Sequence, residues 1–155
     1  MAYDQDAGPA LAPNLIEALR RAFRAHAAGE LREAEFGCRL VLAANKKQFE
    51  ALHLLGLIEF QRGKLEEAER LIRQALKINP RSAQAHTNLG SVLQQRGRHQ
   101  DALASLDRAL EFDPANVLAL SNRSNVLWRL KRPEEALASL DRALALEPAY
   151  VSAPK

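Results

Sequence analysis

The nine residues ALASLDRAL stand at Ala102–Leu110 and recur, letter for letter, at Ala136–Leu144, 34 positions later. An identical string at that separation is what stacked structural repeats leave behind, because units that pack on one another need interchangeable faces. Working outward from this pair, Pro80, Pro114 and Pro148 fall in one column at the same spacing. The chain then divides without gaps into blocks 15–48, 49–82, 83–116 and 117–150.

Each block holds two amphipathic runs of about a dozen residues, with apolar residues at the i, i+3, i+4, i+7 spacing of a helix face. Leu52, Leu55 and Gly56, then Ala68, Ile72 and Ala75, mark the two runs of the second block. His86, Leu89 and Gly90, then Ala102, Leu106 and Ala109, repeat them in the third. Small residues at these columns let two backbones approach while leucines fill the flanks. The pattern predicts a hairpin of two helices per block.

The turns follow the same logic. Gly29, Gly63 and Gly97 share the column just after the first helix, where a left-handed residue ends it and glycine adopts that shape at least cost. Lys131 takes that column in the fourth block, which predicts strain of about 1 kcal/mol or a rearranged turn, with Pro133 opening the second helix. Asn14, Ser82 and Asn116 read as N-caps, and Asn14 with Glu17 as a capping box. Residues 1–13 carry two prolines, a glycine and no periodicity, so 1–14 reads as a disordered leader. Residues 151–155 read as a tail or the start of a further repeat.

Composition narrows the function. At 155 residues the chain fits one compact domain, and its apolar mass is Ala and Leu, since 47% of residues are hydrophobic but only 5% aromatic. The net charge of +3 is spread over interspersed signs with no basic stripe, so no nucleic-acid partner is expected. An RNA-binding helical repeat, the remaining class of that kind, would lose binding steeply with salt. The single cysteine, Cys38, leaves no internal disulfide framework. The N-terminus lacks an export signal, and the most apolar stretch, Leu52–Phe60, is too short to span a bilayer. The expectation is a cytoplasmic protein with no membrane partner. His26, His53, His86 and His99 lack the spacing of a helical metal pair, no phosphate loop is present, and Cys38 lies on an apolar helix face as a small hydrophobe. No catalytic residue, metal or cofactor is expected.

These columns resemble the tetratricopeptide repeat family. Leu55-Gly56 and Leu89-Gly90 carry the resemblance, with Ala68, Ala102 and Ala136, then Ala75, Ala109 and Ala143, and the three prolines. It implies an all-α fold, a right-handed α-α superhelix (solenoid) of four helix-turn-helix repeats, with first helices lining the concave inside and second helices the convex back. Blocks one and four depart from the pattern, with Arg21-Ala22 and Arg123-Ser124 at the Leu-Gly columns and Lys46 in place of a proline. The runs His26–Glu35 and Ala51–Gly56 are also similar to bacterial arrays of the O-linked N-acetylglucosamine transferase type. In those arrays an asparagine ladder holds peptide backbone; Asn88 and Asn122 match its column, while Arg20 and Leu54 interrupt it.

A solenoid offers an extended groove rather than a deep pocket. Its inward positions here are Ile16, Leu19, Phe23, Leu54, Leu57 and Phe60 in the first two blocks. In the last two they are Thr87, Asn88, Ser91, Gln94, Ser121, Asn122, Asn125 and Trp128. The expected peptide-binding residues are Asn88, Ser91, Asn122, Asn125 and Trp128, joined by Leu54, Leu57 and Phe60. Amides can pair with peptide backbone whatever its sequence, and an exposed tryptophan is a binding anchor. The variety of this family that grips a terminal carboxylate resembles a clamp of Lys, Arg and Asn; the corresponding positions here hold Leu19, Phe23 and Leu54, so the resemblance implies no such clamp. Leu140, Leu144 and Leu146 would lie uncovered on the last helix, forfeiting about 1.5 to 3 kcal/mol each. They are explained by a longer array, end-to-end stacking of copies, or docking of another protein. The reading is a non-catalytic protein–protein interaction scaffold, with the substrate-recognition or assembly arm of a larger transferase as the alternative.

Overall fold

The computed structural model describes residues 10–147. These form eight α-helices: α1 (Pro13–Ala27), α2 (Leu31–Ala44), α3 (Phe49–Gln61), α4 (Leu65–Ile78), α5 (Ala83–Gln95), α6 (His99–Phe112), α7 (Val117–Arg129) and α8 (Pro133–Leu146). No strand occurs among the described residues. The chain divides into two compact units, 1–80 and 81–155. Unit 1 holds the hairpins α1–α2 and α3–α4, and unit 2 holds α5–α6 and α7–α8.

Each hairpin closes on a small residue. A Cβ added to Gly56 of α3 would stand 2.7 Å from Ile72 Cγ1 of α4, and Ile72 is fully buried. The first hairpin reverses the roles, since Ala22 occupies the glycine column on α1 while Gly37 on α2 supplies the gap. A Cβ there would meet Ala22 Cβ at 2.8 Å and the Ala18 carbonyl at 2.9 Å. The fourth hairpin has Ser124 in that column, whose hydroxyl donates to the Ala136 carbonyl at 2.9 Å. Around these contacts Val41, Ile58, Leu93, Leu106 and Leu127 are fully buried.

The turns within hairpins share one hydrogen-bond pattern. The N–H groups of Glu30, Lys64, Arg98 and Arg132 reach back to the carbonyls of Ala25, Glu59, Leu93 and Leu127, the six-to-one bond of a Schellman end. The residue before each donor is left-handed. Gly63 has φ +79°, and Lys131 takes φ 59° in the fourth hairpin, so the turn there is kept under strain rather than rearranged. Pro133 opens α8. Ser82 and Asn116 cap α5 and α7, their side-chain oxygens accepting from Ala85 N–H at 3.1 Å and Ala119 N–H at 3.0 Å.

Two expectations about the start of the chain need correction. Helix α1 begins at Pro13, whose missing N–H is unneeded in a first turn, and its N-cap position is Ala12, without a side-chain cap. Asn14 is therefore inside the helix, and Glu17 pairs with Arg24 at 2.9 Å rather than closing a capping box. Leu11 packs on the unit 1 core, so residues 10–14 are not a leader. Residues 1–9 of that expectation, and the 151–155 tail, lie outside the described residues.

One polar network is unanticipated. Glu59 is only 4% exposed, a burial that demands partners. Arg62 Nη1 donates to it at 3.0 Å and also to Glu35 on α2 at 2.8 Å, tying the end of α3 to α2. The hydrogen bond from Arg62 holds the Glu35 carboxyl below its ordinary value.

A depressed carboxylate pKa adds stability that is present above the unfolded value and fades as pH falls through the folded one. Glu35→Gln should therefore flatten the loss of stability between about pH 6 and about pH 3, read by urea unfolding; equal slopes would contradict this. Lys131→Gly should stabilise by about 1 kcal/mol by relieving the left-handed turn. Gly56→Ala should cost about 1 to 3 kcal/mol by overpacking against Ile72. Both are read by chemical denaturation.

Candidate functional site

In unit 2 the first helices of the two hairpins, α5 and α7, lie side by side, and a short polar chain links them. Asn122 Nδ2 donates to Ser91 Oγ at 2.9 Å, and the Ser91 hydroxyl donates to the Thr87 carbonyl at 3.3 Å. Thr87 is buried beneath them, its own hydroxyl donating to the Ala83 carbonyl at 2.8 Å. An Asn held through one N–H keeps a second N–H and a carbonyl to offer a ligand. Asn88 is half-buried and Asn125 exposed.

The α7 register arranges the rest. Leu118, Ser121, Asn125 and Trp128 recur at i, i+3, i+7 and i+10, so they share one face. Trp128 is 64% exposed and Leu118 44%, leaving two apolar anchors at either end of a polar strip. Leu118 is absent from the sequence reading, although its register with Trp128 was visible there.

Unit 1 presents a different surface. Leu57 and Phe60 on α3 are partly exposed, as are Ile16 and Phe23 on α1. His26 Nε2 and Gln61 Oε1, 3.0 Å apart, join the two helices. Leu54 does not line this surface. It is 1% exposed and belongs to the hydrophobic core of unit 1, because α3 is apolar on nearly every side from Ala51 to Ile58 and such a helix is buried all round.

On α8, Leu144 and Leu146 are exposed and Leu140 is half-buried. Leu137, more exposed than any of these at 55%, was missed. Its equivalent on α6, Leu103, is buried, since α7 packs on α6. Among the described residues nothing covers α8 in the same way.

The Cys38 thiol is fully buried, and burial pushes its pKa up to about 12, so it stays protonated at neutral pH and is a poor nucleophile. His53 is buried beside Phe49, and burial lowers its pKa. Among the described residues no helix is long and apolar enough to cross a membrane.

The tetratricopeptide repeat family model matches residues 53–117 and 87–151. The chain belongs to that family. Proteins of the tetratricopeptide repeat family serve in general as scaffolds that bind protein partners, and the structural neighbours agree on an all-α repeat solenoid. The crystal structure of MamA superposes with a TM-score of 0.79 at 19% identity, covering 90% of this chain and 82% of that one. Pseudomonas aeruginosa PilF gives 0.80 at 20% identity, over 86% and 61%. A Thermobaculum terrenum O-GlcNAc transferase gives 0.75 at 32% identity, over 83% of this chain but 26% of that one. A comparison with curated protein sequences finds no match.

Asn122→Ala should cost about 1 kcal/mol, the worth of one part-buried hydrogen bond, whereas Trp128→Ala should leave stability within about 0.5 kcal/mol. Urea denaturation of the two variants beside the parent checks both.

Proposed function

We propose that this chain is a non-catalytic scaffold holding an extended peptide segment against the first helices of unit 2. Asn88, Ser91, Asn122 and Asn125 face the peptide backbone, and Trp128 anchors one of its side chains. Leu57 and Phe60 in unit 1 offer a separate apolar contact. The observation that carries this reading is the Asn122–Ser91 hydrogen bond at 2.9 Å on the same helix as a 64% exposed tryptophan. A pre-oriented amide loses little freedom on binding, and an exposed tryptophan gains most from being covered. The leucine face of α8 is a second contact surface, used between copies of the chain. The working location is the cytoplasm.

A second reading has its own support. The 32% identity to the O-GlcNAc transferase favours a substrate-recognition or assembly arm of a larger transferase. The arm reading places the mass of the protein isolated from its source well above the 17.2 kDa of this chain, with a transferase domain in the added part.

Trp128 is the sole tryptophan, so its fluorescence reports binding directly. Peptides selected from a random display library should shift its emission to the blue. Asn88→Ala with Asn122→Ala should weaken them about tenfold, as expected for about 1.4 kcal/mol of lost hydrogen bonding. Unchanged emission at saturation, or equal binding by the double variant, would defeat the proposal.

A further inference from the structure

The back of unit 1 carries a furrow that nothing in the peptide-holding role uses. It lies between α2 and α4, encloses about 600 Å³, and is floored by Leu52, Leu55 and Leu71. Its rim holds Arg39, Lys46, Lys47, Arg70 and Lys77 against one carboxylate, Glu67. Arg39 leans on Glu35, and Arg70 leans on Glu67 in an exposed pair that exchanges partners at little cost. Among the described residues no ion pair forms on the side chains of Lys46, Lys47 or Lys77.

Unit 2 provides an internal comparison, because the repeat places equivalent columns between α6 and α8. There Arg123, in the column of Leu55, crosses to Asp107 at 2.7 Å and to Ser139 at 2.6 Å. Arg142 crosses to the Pro114 carbonyl at 2.9 Å. Pro114-Ala115 replace Lys46-Lys47, and Ala145 replaces Lys77. Arginine bridges thus span these columns in unit 2, and Asp107 balances Arg123. In unit 1 the columns are open, apolar below and cationic above. An apolar trough with cations on both walls selects a segment that presents carboxylates beside apolar side chains.

Helix α8 is such a segment. Glu134 and Asp141 are exposed, and among the described residues neither carboxylate has an ion-pair partner. They sit seven residues apart on one face, with the exposed Leu137 and Leu144 in the adjoining row. Arg70 and Lys77 on the furrow wall are also seven residues apart, so both charge pairs span about 10 Å along their helices. We infer that copies of this chain join head to tail, α8 of one seated in the α2–α4 furrow of the next. This rests on reading the α8 leucine face as a contact between copies. A joined pair keeps one furrow and one α8 unused, so the contact is heterologous and the assembly extends or closes into a ring.

Sedimentation velocity on the full chain at rising concentration tests this with two surface variants. Lys46→Glu with Lys77→Glu disables the furrow, and Leu137→Ser with Asp141→Asn disables α8; circular dichroism confirms that both fold. The parent should pass beyond the mass of two chains, each variant alone should stay at one, and their equal mixture should stop at two. A parent that remains a single chain at every concentration overturns both the inference and the α8 reading beneath it. A furrow variant that associates like the parent overturns the inference alone and leaves α8 as a contact of another kind.

Discussion

Two helices of every hairpin meet at a residue too small to keep them apart. At Gly56 the partner is Ile72, and at Gly90 it is Leu106, in each case with a gap that a single added methyl would overfill. That close approach sets the angle and spacing of the pair, and it decides which side chains remain on the outside. The first hairpin shows that the gap matters more than its owner, since Gly37 on α2 does for Ala22 what Gly56 on α3 does for Ile72. The fourth keeps the approach with a serine by turning its hydroxyl into a hydrogen bond with the opposing helix.

A hairpin closed in this way still has an apolar side, and its neighbour must cover it. In unit 2 this is visible as a contrast between equivalent helices. Leu103 on α6 is buried where α7 packs on it, while its counterpart Leu137 in the repeated sequence on α8 is exposed. The ALASLDRAL string is therefore the same interface written twice, once filled and once open. Faces on which the repeat pattern is overwritten behave differently. The amides and Trp128 on α7, and the lysines after α2, replace what packing alone would have chosen, and these are the surfaces to which binding is assigned.

Much of this was legible because the physics is local and periodic. The hairpin count, the left-handed turn column, the Pro133 start and the Ser82 and Asn116 caps each depend on a few neighbouring residues. Leu54 stands in an inward column of the repeat, but the apolar surroundings of α3 mark that helix as buried on all sides and decide its place. Asn14 went astray because two start signals competed, and the proline at the first helical position prevailed. Lys46 and Arg123 registered in the sequence only as departures from the family pattern. Their meaning depends on the α2–α4 and α6–α8 spacings, which no single block contains. Nor could the ion pair joining Arg62 to Glu35 be read from one helix alone.

The central claim is that each hairpin is held by its own close approach and protected where a neighbouring hairpin packs on it. Native-state hydrogen exchange, followed amide by amide at a concentration where the chain is monomeric, addresses it most directly. The amides of α8 should open at a clearly lower free energy than those of α6, despite the nearly identical sequence of the two helices. Equal protection of α6 and α8, exchanging together in one global event, would contradict the account.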